Sequence, residues 1–310
     1  MVSWQAKAFK KFIILSGKKN KFLSKEAMNE YVKLMEKRPP YKLSSKFMNK
    51  HQISVFQVGE MDVYVLNQHS ITSKGIIYFH GGAYVNEPLS FHWRYLVKLA
   101  EQTKHKIYVP IYPKLPHHAH VECYKQLDLF YEKIIEPMQT PFDFMGDSAG
   151  GGLAIAFSQK LRDEFKRTPN NLILFSPWLD INGEYEGYEE LEKLDPMVGI
   201  PGARLLGQLW MQPSHAKNPL VSPIYGPLDE IGELTVIVGT HELILFDCRR
   251  LKERAESEHI PIRYYEFKDM NHVFPVFPIP EAKQVWPIIL PILLDEQSVS
   301  SPSLESNPSH

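Results

Sequence analysis

Two kinds of apolar spacing alternate along most of this chain. Short, nearly unbroken apolar runs at 75–79, 107–111, 142–145, 172–175, 234–238 and 262–267 have the length of buried parallel strands. Between most of them lie helical stretches: 92–103, 121–135, 151–165 and 247–257. Residues 53–58 and 61–66 flank Gly59-Glu60 and predict a hairpin ahead of these strands. Strands that alternate with helices predict an α/β domain, a mostly parallel sheet with helices on both faces. One segment breaks the rhythm: residues 182–212 run through an acidic stretch, a Leu-Asp-Pro-Met turn and a predicted helix at 203–211. An insertion of this length between core strands commonly covers a site.

The ends differ from this body. Residues 1–50 carry twelve Lys and one Arg against three Glu, a local excess of ten positive charges. Such a basic segment reads either as an arm contacting membrane or an anionic ligand, or as a pair of solvated helices whose apolar residues pack on the body; the scattered lysines favour the second. Aromatic and Met residues of this segment and of the 182–212 insertion, such as Trp4, Phe9, Trp210 and Met211, are expected in packing first, although an apolar pocket would be built from the same types. Residues 298–310 are rich in Ser and Pro without apolar periodicity and predict a disordered tail after a body at 51–297.

Composition changes this picture little. The 310 residues are 44% hydrophobic and 23% charged, with net charge −1, a balance that points away from nucleic acid. The two cysteines, Cys123 and Cys248, lie far apart; a disulfide is open, but two free thiols in a reducing compartment is the simpler expectation. The apolar run at 12–15 is too short for a secretory signal core and no stretch has membrane-spanning length, so the expectation is a cytoplasmic protein.

The chemistry concentrates at Gly146-Asp147-Ser148-Ala149-Gly150, between a predicted strand and a predicted helix. A serine on a sharp strand-to-helix turn is held in strained geometry with its hydroxyl exposed, and its neighbours must be small. A serine hydroxyl becomes nucleophilic only when a base takes its proton, so Ser148 needs a histidine oriented by an acid. On a sheet of this kind the order is Ser, acid, His, which selects Glu242 after the strand at 234–238 and His272 after the strand at 262–267. Asp247 is a rival acid, more readily explained as a first-turn helix residue. The glycines of Tyr78-Phe79-His80-Gly81-Gly82-Ala83-Tyr84 let backbone N–H groups face a developing oxyanion, so Gly81 and Gly82 are expected donors, with Ala149 at the helix start as a third. His80 and Asp147 are expected to support that loop. His117, His118 and His120 cluster near Glu122 without a ligand set of metal spacing, and no metal is expected.

These segments resemble the hormone-sensitive-lipase-like group of α/β-hydrolase esterases, over roughly residues 75–275. The resemblance rests on His80-Gly81-Gly82, the serine pentapeptide, Ser176-Pro177-Trp178-Leu179-Asp180, Asn218-Pro219-Leu220-Val221-Ser222-Pro223 and residues 239–245. It implies an α/β-hydrolase fold with an eight-stranded, mostly parallel sheet. A cap would come from the N-terminal helices and the insertion after the sixth strand. It also implies a Ser–acid–His triad and cofactor-free hydrolysis of a small-molecule ester; homodimers are common in the group. The family usually has Asp where this chain has Glu242. It usually has Asp-Tyr-Arg-Leu-Ala-Pro-Glu where this chain reads Pro110-Ile111-Tyr112-Pro113-Lys114-Leu115-Pro116, which lacks the arginine of a structural salt bridge typical of relatives. Two rival readings accompany the esterase: a ligand-binding receptor on the same scaffold, disfavoured because His272 is present, and an amidase or peptidase with the same triad.

Overall fold

The computed structural model describes residues 2–296 apart from 73 and 184; the tail expected at 298–310 lies outside them. Its centre is one eight-stranded sheet: β1 (Ser54–Val58), β2 (Met61–Leu66), β3 (Gly75–Phe79), β4 (Lys106–Pro110), β5 (Phe142–Asp147), β6 (Asn171–Phe175), β7 (Glu233–His241) and β8 (Ile262–Asn271). The spatial order is β1-β2-β4-β3-β5-β6-β7-β8, with β2 antiparallel to both its neighbours and β4 through β8 parallel. The chain therefore has the predicted α/β-hydrolase architecture. Strands β3, β5 and β6 are buried at every residue, which is why they read as continuous apolar runs; edge strand β8 alternates.

The helices divide the core in two. On one face α5 (His120–Phe130), α6 (Ala149–Phe165) and α9 (Leu245–Ser257) pack on residues such as Phe79, Phe144 and Val236. On the other, α4 (Ser90–Thr103) and α10 (Trp286–Leu293) cover Tyr78, Met145 and Ile237. Helix α10 has no counterpart in the sequence reading because Pro287 and Pro291 interrupt its pattern. The helix expected at 121–135 is α only to Phe130 and widens into a π turn at Tyr131–Ile135. Both cysteines are free and buried.

Two chain segments were expected to form a cap. The N-terminal one forms three helices where a pair was expected: α1 (Trp4–Leu15), α2 (Lys25–Met35) and α3 (Ser45–His51). The insertion forms α7 (Tyr188–Leu194) from the acidic stretch and α8 (Ile200–Trp210), which starts earlier than expected because Pro201 sits favourably in its first turn. Helices α2 and α8 pack directly, around Phe22 and Met28. The contact needs Gly202, whose Cβ would lie 2.5 Å from the Phe22 Cα. Lys19 Nζ crosses between the segments and donates to the carbonyls of Glu192 and Asp195. Trp210 and Phe9 pack as expected, but Trp4 does not: the inner face of α1 is taken by Ala6, Phe9 and Ile13, and Trp4 projects from the opposite side.

Candidate active site

Strand β5 ends at Asp147 and α6 begins at Ala149, so one residue makes the whole turn. Ser148 does so at φ 53°, ψ −123°, a conformation that costs on the order of 1–3 kcal/mol and persists only where surroundings enforce it. They do so through the backbone: Ser148 N–H donates to Phe175 O at 2.9 Å, and Trp178 N–H donates to Ser148 O at 2.9 Å. The flanking glycines are sterically required. A Cβ on Gly146 would lie 2.5 Å from Gly150 O, and one on Gly150 would lie 2.0 Å from Phe79 O.

The structure brings Ser148, His272 and Glu242 together. His272 Nε2 lies 2.8 Å from Ser148 Oγ, and His272 Nδ1 lies 2.6 Å from Glu242 Oε2. With Nδ1–H donating to the carboxylate, Nε2 is left to accept the serine proton. The other Glu242 oxygen accepts from Gly239 N–H at 2.7 Å and Ser176 Oγ–H at 2.9 Å. Glu242 is wholly buried. Burial alone would push the His272 imidazole down, but the Glu242 carboxylate overcomes it and holds the ring above its ordinary value. Burial also pushes the Glu242 carboxyl up, against the pull of His272 and the Gly239 N–H. Asp247, the rival acid, is not at this site. Its Oδ2 accepts from Leu179 and Asp180 N–H at 2.7 and 3.0 Å, and burial pushes its carboxyl up to about 7.

The loop after β3 requires one correction. Gly81 N–H was expected to face an oxyanion, but it donates to Asp147 Oδ1 at 3.0 Å and is therefore occupied. No hydrogen-bond partner among the described residues takes the N–H of Gly82 or Ala83, so the free donors lie one residue later. Ala83 adopts φ 54°, a left-handed turn that reorients the chain there. Asp147 anchors this loop: besides Gly81 it accepts from Tyr78 Oη at 2.7 Å and His92 Nε2–H at 3.1 Å. Burial would raise its carboxyl; His92, Tyr78 and Gly81 together hold it below its ordinary value. His80 stacks on Tyr112, and its Nδ1–H donates to Gly81 O at 2.7 Å; burial keeps the ring neutral.

Three supporting residues escaped the sequence reading. Ser176 (φ 48°) donates to Glu242 and accepts from Val273 N–H at 3.2 Å, tying the acid loop to the histidine loop. Asn86 donates from Nδ2 to Gly82 O at 3.0 Å, and the cap's Tyr31 hydroxyl donates to Asn86 Oδ1. Asp195, in the insertion, accepts from Leu243 N–H at 3.0 Å. No sequence spacing links these residues to the triad, although Ser176 lies inside a motif of the resemblance and Asp195 in the Leu-Asp-Pro-Met turn. The segment that lacks the family's arginine still makes a part-buried ion pair, Lys114 to Glu87 at 2.7 Å, and Leu115 N–H donates to Tyr84 O at 2.8 Å. The histidine cluster dissolves: His120 opens α5, buried, with Nδ1 2.9 Å from Trp210 O.

Aromatic rings stand beside the serine. Tyr84 lies flat on Trp210 of the cap, with centroids 4.1 Å apart and planes 2° from parallel, and its other neighbour is Trp178 at 5.7 Å. Gly152, one helical turn beyond Ser148, lies against them: its Cβ would be 3.2 Å from Tyr84 Oη and 2.1 Å from Trp178 O.

The model of the α/β-hydrolase fold family matches residues 76–276 of this chain. The chain belongs to that family. Its motifs place it in the hormone-sensitive-lipase-like group, and it is a carboxylic ester hydrolase. It is 29% identical over 214 residues to an esterase of Acinetobacter venetianus, covering 67% of this chain and 71% of that protein. An acetyl-hydrolase of Streptomyces hygroscopicus is 26% identical over 209 residues, covering 66% of this chain and 70% of the relative. Among solved structures, an esterase of the bacterial hormone-sensitive lipase family superposes with TM-score 0.80 at 23% identity, covering 96% of this chain and 100% of the other.

Proposed function

We propose that this α/β hydrolase cleaves short-acyl carboxylic esters through a Ser148–His272–Glu242 triad and an acyl-enzyme, without a cofactor. The observation that carries the reading is the unbroken relay from Ser148 Oγ to His272 (2.8 Å) to Glu242 (2.6 Å). Ser148 Oγ attacks the ester carbonyl carbon while its proton passes to His272 Nε2. The imidazolium that forms faces the Glu242 carboxylate, whose second oxygen stays engaged by Ser176 and Gly239. Negative charge develops on the carbonyl oxygen, where the N–H groups of Ala149, Gly82 and Ala83 receive it. Each such donor is worth roughly 3–4 kcal/mol of transition-state stabilisation. Collapse breaks the bond to the alcohol oxygen, which leaves with the proton from His272. Water then attacks the acyl group on Ser148, giving its proton to His272, and the carboxylic acid departs as Ser148 Oγ recovers a proton.

Glu242 serves where the family usually has Asp. Its extra methylene is accommodated because Gly239 and Ser176 hold one oxygen and leave the other to His272. The preference for short acyl groups rests on the Tyr84–Trp178–Trp210 aromatic wall beside Gly152, which fills the space a long chain would need. The acetyl-hydrolase among the relatives supports the same assignment. The decisive test is turnover of p-nitrophenyl acetate together with labelling by a fluorophosphonate. Wild type should turn over and label at Ser148, and Ser148→Ala should do neither. Unchanged turnover in that variant would overturn the triad.

A further inference from the structure

Helix α1 is apolar on two sides, and only one of them is used by the fold. Its inner side is fixed by independent anchors. Ser3 caps the helix and bonds Glu281 through N–H at 2.6 Å and Oγ at 3.0 Å. Phe9 packs on Phe277 and Phe91, and Lys10 Nζ donates to His241 Nδ1 at 3.1 Å, beside Glu242 in sequence. Ala6 and Ile13 are buried on the same side. With the rotation of the helix set, Trp4, Ala8, Phe12 and Leu15 line the outer face at spacings of four, four and three. Trp4 is 75% exposed, Phe12 56% and Leu15 77%. Ile14 flanks the stripe at 58%.

Along residues 2–25 the charge is all of one sign. Residues 2–25 hold seven lysines and no acidic residue, the first being Glu26. Lys7, Lys11 and Lys18 are exposed. A second copy of the chain makes a poor cover: a two-fold contact through α1 would oppose one lysine-rich face to another. An anionic surface that also dissolves apolar side chains satisfies both features, and Trp sits favourably at such an interface. No helix among the described residues is long and apolar enough to cross a membrane, so contact through this helix would be peripheral.

We propose that the outer face of α1 docks on the surface of an anionic lipid bilayer, with Trp4, Phe12 and Leu15 inserted among the acyl chains and Lys7, Lys11 and Lys18 at the headgroups. Docking leaves the inner anchors of α1 intact, so the helix would hold the strand ends that carry the Glu242 and His272 loops close to the membrane. The proposal goes beyond the esterase reading and does not depend on it.

Co-sedimentation of the full chain with large unilamellar vesicles tests it. Wild type should pellet with vesicles of equal phosphatidylglycerol and phosphatidylcholine, stay in solution with pure phosphatidylcholine, and detach as salt rises. Lys7→Gln and Lys11→Gln should each weaken binding about five-fold, and Trp4→Ser/Leu15→Ser at least about ten-fold. Turnover of dissolved p-nitrophenyl acetate should be unchanged in all of them, which separates this question from catalysis and reports folding. Should the double variant misfold, the lysine variants and the salt titration on wild type decide. Wild type remaining in solution with phosphatidylglycerol vesicles overturns the proposal. So does a wild-type dimer that Trp4→Ser/Leu15→Ser converts to monomer, because a second copy would then own the face.

Discussion

The corner around Ser148 and the cap above it are secured by different forces. In the corner, Asp147 accepts three donors and Glu242 accepts three, five of them from strand ends or the turns that follow them and the sixth, His92, from α4. Such a network leaves each side chain one arrangement, and a missing partner exposes a buried charge. The cap meets the body through flat apolar contact, Trp210 on Tyr84, joined to separate single polar tethers such as Tyr31 to Asn86. Apolar contact constrains volume more than direction. Changes in the corner should therefore abolish chemistry with little change in which ester is preferred, whereas changes in the cap should shift preference and leave chemistry largely in place.

The sharpest break of that contrast is Ser148→Ala, for which kcat should fall by about 10⁶ with the fold intact, read by turnover and thermal unfolding. Glu242→Gln should cost about 10⁴ in kcat, because the amide neither orients the needed tautomer nor stabilises the imidazolium. The pH profile sharpens the same point. His272 must be neutral to accept the serine proton, and its pKa is raised, so kcat/KM should fall as pH drops through a value above the ordinary histidine range. A limb at or below the ordinary value would contradict the Glu242 contact.

In the cap, Trp210→Ala should cost about 3–5 kcal/mol of stability. It should also raise kcat/KM for octanoyl relative to acetyl esters by about ten-fold or more as the wall recedes. Unchanged selectivity would remove Trp210 from the acyl pocket. The smallest effect is expected at Tyr31→Phe, which cuts the cap's bond to Asn86 and so loosens the loop holding Gly82 and Ala83. A fall of about five-fold in kcat with little change in KM fits a positioning role in the oxyanion loop. A rise in KM alone would mark it as a substrate contact instead.

All eight strands were readable because buried parallel strands must be apolar along their length, and a sheet with helices on both faces imposes that rule on most of them. Their ends were less legible at the site. Strands β7 and β8 run on to His241 and Asn271, past the expected 238 and 267, because residues approaching a catalytic loop turn polar while the backbone stays extended. The acidic stretch that forms α7 and the proline-interrupted α10 were missed for a related reason: each departs from the pattern that normally announces a helix. Gly81 was misjudged because its N–H could be assigned only once the Asp147 side chain was known to turn back toward it.

By itself, the sequence determined the class of protein and the candidate chemistry. Gly146, Ser148 and Gly150 encode a turn that few residue types tolerate, and the order of Ser148, Glu242 and His272 follows the order of strands. Tertiary structure alone set Glu242, and not Asp247, against His272, moved the free loop donors to Gly82 and Ala83, and turned Trp4 outward while Trp210 went in. The reason is physical. Backbone strain and strand burial are local demands that residue identity can satisfy, whereas hydrogen-bond partners and the side of a helix that faces inward depend on segments far apart in the chain.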